Sequence, residues 1–122
     1  MHVAHLHLRQ VFNGNVKQSH VYTHAARGIV RSVLEGYNAA IFAYGQTGSG
    51  KTYSITGGST YKCRGLIPRA ISDLFRGVAK DTAPGVTYKV QVSYVEIYNE
   101  VVYDLLDRCV CMLAGVLQAH SP

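Results

Sequence analysis

Cysteine is scarce in this chain, long hydrophobic runs are missing, and acidic residues are outnumbered by basic ones. The 122 residues hold three cysteines, Cys63, Cys109 and Cys111. An odd count cannot pair off into a disulfide framework, and Cys109-x-Cys111 has no second pair downstream to complete a zinc set. The three read as reduced thiols. The longest apolar run near the end, residues 110–117, falls far short of the ~20 residues that a membrane span needs. The opening MHVAHLHLRQ has neither an apolar core nor a cleavage site, which argues against a signal peptide. Lys+Arg number 12 against 7 Asp+Glu, for a formal net charge of +5. That excess favours polyanions such as nucleotide phosphates, but no five basic residues run together as in a nucleic-acid tail. Neither nucleic acid nor a membrane is expected as a partner. His2, His5 and His7 would share one face of a strand, yet no carboxylate or cysteine accompanies them, so no metal is expected there.

With 48% apolar and 16% charged residues, the chain has the composition of a globular core rather than a disordered segment. Its length allows one small domain or part of a larger one. Residues 5–12 alternate weakly and predict a strand. Val21, Tyr22, Ala25, Ala26, Ile29, Val30, Val33 and Leu34 repeat at i, i+3, i+4, i+7, which predicts an amphipathic helix over 20–35, stopped by Gly36. The wholly apolar AAIFAY, residues 39–44, predicts a strand buried on both faces. A short helix is expected over 51–56 and a loop over 57–65. A longer helix is expected from Ile67-Pro68 through Val78, with proline in its first turn. Pro84-Gly85 marks a turn. Alternation through Tyr88, Val90, Val92 and Tyr94 predicts a strand whose phase shifts at Val95 and Ile97, and 102–106 a short helical turn. The layout is α/β, a mixed sheet flanked by helices.

Between the apolar run and the short helix lies GQTGSGKT. Gly45, Gln46, Thr47, Gly48, Ser49, Gly50, Lys51 and Thr52 match G-x-x-x-x-G-K-[ST] at every fixed position. The residue types follow from the chemistry of a triphosphate, which brings about four negative charges and many acceptor oxygens. Glycines let the backbone curl so that successive N–H groups point inward, and the following helix start adds more donors and the positive end of its dipole. Lys51 sets an ammonium against the β- and γ-phosphates, and the Thr52 hydroxyl is a hard ligand for Mg2+. The motif names no reaction. Hydrolysis also needs a second acidic group for Mg2+ and a group to place water. None of Asp73, Asp81, Glu96, Glu100, Asp104 and Asp107 ends an apolar strand, and no guanine-reading N-K-x-D is present.

Residues 35–52, EGYNAAIFAYGQTGSGKT, closely resemble the P-loop region of kinesin motor domains. Residues 64–69, RGLIPR, resemble that family's G-I-I-P-R segment. Residues 92–100, VSYVEIYNE, followed by 103–107, YDLLD, resemble its S-Y-x-E-I-Y-N-E…D-L-L run. The resemblance covers roughly residues 8–107, and Thr56-Gly57-Gly58 with Tyr61 look most like the ciliary subfamily. It implies a P-loop NTPase-type fold, ATP with Mg2+ as cofactor, microtubules as partner, and a location in the cytoplasm on the microtubule cytoskeleton, including the cilium. It places residues 45–52 around the phosphates and Tyr53 beside the adenine, where an aromatic ring can stack; core packing is the other reading of Tyr53. Glu96 and Glu100 are read as structural.

The family's first strand, with its arginine-and-proline adenine contact, has no counterpart here. Neither do its switch motifs, N-x-x-S-S-R-S-H and D-L-A-G-S-E. The resemblance therefore implies a truncated motor domain over 1–107 and a divergent tail over 108–122. It implies the ATP-binding part of a microtubule-based motor. The alternative is a nucleotide-binding or interaction fragment without ATPase or motility, including an unstable splice product. Whether this chain is itself an enzyme stays open.

Overall fold

The computed structural model describes residues 10–81 and 84–106. The described residues up to 81 and from 84 onward form two compact units. In the first, one helical rod runs through three segments: α1 (Gln18–Val21), a π-helical turn (Tyr22–Ala26) and α2 (Arg27–Leu34). Its buried apolar residues are Tyr22, Ala26 and Val30, at 6%, 1% and 9% exposure. They recur every four residues. In a pure α-helix residues four apart drift by about 40° around the axis. The wider π turn takes up part of that drift and keeps the three side chains in line. The rod ends as predicted at Gly36, which has φ +92°. Gly36 N–H donates to Val33 O at 3.1 Å and Tyr37 N–H to Ser32 O at 3.0 Å, the paired bonds of a Schellman stop.

Two further helices follow, α3 (Lys51–Ile55) and α4 (Leu66–Lys80). Pro68 is the third residue of α4, inside the first turn, where a missing N–H forfeits no helical bond. Leu66 and Ala70 pack on the Tyr22–Ala26–Val30 cluster, joining α4 to the rod. A polar clamp ties the same elements. Tyr22 donates its hydroxyl to Asp73 Oδ2 at 2.9 Å, and Arg76 donates to Oδ1 at 2.8 Å. Arg27 Nε lies 3.5 Å from Oδ2.

Burial first, then the hydrogen bond to Asp73 and that carboxylate's charge, push the Tyr22 phenol up from 10.0 to about 12, against the opposing charges of Arg27 and Arg31. A raised phenol pKa means that the fold favours the neutral form. The stability it contributes is whole below pH 10 and is lost as pH rises from 10 to about 12. The chain should therefore lose about 2–3 kcal/mol across that window through Tyr22 alone. Tyr22→Phe should flatten this part of the stability–pH curve, measured by denaturant unfolding at pH 9 and 11.5.

The strand expected over 39–44 does not form. Phe42 and Tyr44 are 88% and 97% exposed. An extended segment becomes a strand only when a neighbour takes up its N–H and C=O groups, and among the described residues no strand pairs with it. The stretch 87–94 is likewise not a strand, although its last residue, Tyr94, accepts Leu105 N–H on its carbonyl at 2.8 Å, next to the hairpin. Between α3 and α4 the expected loop contains a 3-10 turn at Tyr61–Cys63 and is closed at its base by a bridge between Gly57 and Arg64.

In the second unit Pro84-Gly85 makes the expected turn. Strands β1 (Val95–Tyr98) and β2 (Val101–Asp104) pair antiparallel, with Glu96 opposite Tyr103 and Ile97 opposite Val102. The helical turn expected over 102–106 is thus corrected to a strand, which suits its Val-Val-Tyr content. Asp104 thus does end an apolar strand, against expectation, and its Oδ1 accepts from Leu106 N–H at 2.9 Å where the chain turns. The connecting residues Asn99 and Glu100 have φ +52° and +64°, as in a type I′ turn. Glutamate is strained there and glycine is not. Glu100→Gly should tighten the hairpin by about 1 kcal/mol, read as slower amide exchange across 95–104; faster exchange would contradict the turn assignment.

Most of the strand expected at 5–12, His2, His5 and His7, the boundary at 107 and the tail 108–122 lie outside the described residues. Among the described residues no helix is long and apolar enough to cross a membrane. None of their His, Cys, Asp and Glu side chains gather in threes to hold a metal ion.

Candidate nucleotide site

Residues 45–50 curl into a tight loop that opens directly into α3. Gly48 and Gly50 have φ +80° and +88°, in the left-handed region that an L side chain resists. These two conformations turn the backbone so that it can wrap a ligand. At Gly45 a Cβ would stand 2.6 Å from Ser49 Oγ, so a side chain there would push the Ser49 hydroxyl aside. Ser49 N–H donates to Gln46 O at 3.2 Å and pins the closure.

Lys51 lies across the mouth of this curl. Its Nζ donates to Gly45 O at 2.8 Å and to Gln46 O at 2.7 Å. An ammonium has three donors, so two hold the side chain to the loop and one remains for a ligand. The carbonyls fix a full positive charge beside the backbone donors. Helix α3 has only five residues, so its dipole adds little and the charge at this site is mainly that of Lys51.

Thr52 and Tyr53 are exposed at the start of α3, Tyr53 at 53%. Thr52 presents a hydroxyl, the donor type that a hard cation such as Mg2+ takes. Core packing of Tyr53 is not what the fold uses, though its ring edge lies close to Gly58: a Cβ on that glycine would sit 3.6 Å from Tyr53 Cε2. The residue that sequence reasoning missed is Gln18. Its side chain, 6% exposed, donates Nε2 to Tyr53 O. It anchors the helix that follows the loop to the rod in front of it. A glutamine 27 positions before the motif carries no local pattern that would flag it.

The residues suit a polyphosphate: left-handed glycines and a tethered ammonium, with no carboxylate between 45 and 52. The kinesin motor domain family profile matches residues 2–118. This chain belongs to the kinesin motor domain family. The match runs past residue 107, the boundary suggested by the sequence.

Among its relatives, the kinesin-like protein KIF27 of Mus musculus is 46% identical over 101 residues, 80% of this chain and 7% of that protein. Kinesin-like protein KLP1 of Chlamydomonas reinhardtii is 55% identical over 93 residues, 75% of this chain and 12% of that protein. The chain thus spans a small part of the length of the kinesins it matches. Its fold superposes on a solved fast kinesin with a TM-score of 0.77 at 40% identity, over 83% of this chain and 29% of that one. It superposes on the Drosophila kinesin Kin10/NOD, solved in complex with divalent manganese and ADP, with a TM-score of 0.76 at 30% identity, over 95% of this chain and 44% of that one. These likenesses place the chain in the P-loop NTPase-type α/β fold of kinesin motors, of which the described residues show the helices and one hairpin.

Proposed function

We propose that this kinesin motor domain chain binds ATP with Mg2+ and is the nucleotide-holding part of a microtubule-based motor. The observation that carries the reading is the Lys51 ammonium drawn across the curled Gly45–Gly50 backbone. In this reading the backbone N–H groups of residues 45–50 wrap the phosphates, Lys51 opposes their charge, and the Thr52 hydroxyl takes one position on the ion. Mg2+, when bound, neutralises phosphate charge. Gln18 holds α3 so that Lys51 and Thr52 keep their places relative to the loop. Tyr53 offers its exposed ring to the adenine face. The partner is the microtubule, as in the nucleotide-free NOD complex docked with bovine tubulin. The location that follows is the cytoplasmic microtubule cytoskeleton, and Thr56-Gly57-Gly58 with Tyr61, which look most like the ciliary subfamily, favour the cilium within it.

A second reading is binding without turnover. The phosphate-loop motif leaves it open, because such a motif binds nucleotide without naming a reaction. The two readings part in one assay: ATP turnover by the purified chain with and without microtubules, beside Lys51→Ala. Turnover that microtubules raise and Lys51→Ala abolishes supports the motor reading. Binding with turnover no faster than in the variant supports the second.

A further inference from the structure

The π turn that aligns Tyr22, Ala26 and Val30 has an effect on the opposite side of the rod. His20 and His24 are four residues apart, on the exposed side. Their rings stand 4.0 Å apart, centroid to centroid, with planes tilted by 31°. Residues four apart on an α-helix are already neighbours, and the wider turn brings them closer to eclipse.

Two contacts hold these rings. Nδ1 of His24 lies 2.8 Å from His20 O. A carbonyl only accepts, so Nδ1 carries the proton, and in the neutral ring the lone pair is on Nε2. That bond to a backbone carbonyl is the support that metal-ligating histidines commonly have. Phe12 meets the His20 ring edge-on at 6.0 Å and limits its swing. The two imidazoles belong to the lining of a shallow surface depression shared with Val16, Lys17, Ser19 and Thr23.

We propose that His20 and His24 form a bidentate surface site for a divalent transition-metal ion, separate from the phosphate loop. Two nitrogens bound tetrahedrally to one ion at 2.0–2.1 Å lie about 3.3 Å apart, and the two exposed rings, tilted by 31° as they stand, open further about χ1 and χ2 for both lone pairs to meet on one ion. Water completes the coordination. Imidazole donors select Cu2+, Ni2+ and Zn2+ over Mg2+ and Ca2+, with Cu2+ binding most tightly. The Lys17 ammonium in the same depression opposes a cation and holds the affinity down.

The test is a calorimetric titration of the full chain with Ni2+. The chain has six histidines, so His2, His5, His7 and His120 are first replaced by alanine, leaving His20 and His24. The cysteines remain in every variant, so thiol binding cancels in the comparison. His20→Ala and His24→Ala are then made singly in that background. Both positions are exposed and helical, where alanine is the best helix former, and circular dichroism confirms that the rod persists. Loss of a supporting contact alone costs a metal site about 10–100-fold, so loss of a ligand should weaken Ni2+ binding at least about tenfold in each variant. Ni2+ affinity that neither substitution changes overturns the site. Weakening by one substitution and not the other overturns the bidentate arrangement, because a chelate needs both rings.

Discussion

Lys51→Ala should abolish the stabilisation that Mg·ATP gives this chain while leaving the unliganded fold nearly intact. A ligand that binds only the folded state at a hundredfold excess over its Kd adds about 2.7 kcal/mol. The wild-type chain should show that rise in a thermal-shift titration, and the variant should show none. The asymmetry follows from where Lys51 sits. Its two bonds are to exposed loop carbonyls, Gly45 O and Gln46 O, and exposed polar contacts of this kind are worth about 1 kcal/mol or less. Against a polyphosphate the same ammonium is the main positive charge in the curl. An equal Mg·ATP shift in both proteins would mean that nucleotide binds elsewhere.

Gly57→Ala should destabilise the first unit by about 3 kcal/mol, whereas Gly58→Ala should cost under about 1 kcal/mol. The two glycines are adjacent, but their surroundings differ. Gly57 has φ +95°, and a Cβ there would collide with backbone atoms of Cys63, Arg64 and Gly65. Backbone cannot swing aside as a side-chain tip can. The left-handed conformation costs alanine about 1–2 kcal/mol. Displacement of the crossing strands adds loss of the Gly58 N–Cys63 O and Gly65 N–Thr56 O bonds, 2.9 and 3.1 Å long, at about 1 kcal/mol each. A Cβ on Gly58 would meet only the side chains of Cys63 and Tyr53, at 3.2 and 3.6 Å. Unfolding midpoints followed by circular dichroism compare the two. Because this crossing sits at the end of α3, Gly57→Ala should also weaken ATP binding. Equal destabilisation by both substitutions would contradict the account.

The parts of the fold legible in the sequence were those decided by local chemistry. The helix stop at Gly36, the proline-tolerant start of α4 and the glycine turn before α3 each rest on a conformational preference that a few residues express by themselves. The π turn at Tyr22–Ala26 was not legible, because it serves the alignment of Tyr22 and Ala26 on α4, a tertiary demand. The AAIFAY segment was misread because an apolar run announces burial without saying what lies beside it. The hairpin was missed because Asn-Glu is an unusual pair for a turn that requires two positive φ values, and because Val102 to Leu106 fits a helical turn as well as a strand. In the candidate site, the glycine turn of residues 45–50 opening into α3 was legible as backbone conformation. The bond from Gln18 to the Tyr53 carbonyl was not, since it joins positions 35 apart and leaves no pattern in either.

The claim on which the functional account rests is that GQTGSGKT reads phosphate. The direct measurement is competition by Mg·ATP, Mg·ADP, AMP and adenosine against a fluorescent adenine nucleotide on the purified chain. A curl of backbone donors with one fixed ammonium predicts tight competition by ATP and ADP, much weaker competition by AMP, and almost none by adenosine. Adenosine competing as well as ATP would mean that the base is bound and the loop is not a phosphate site.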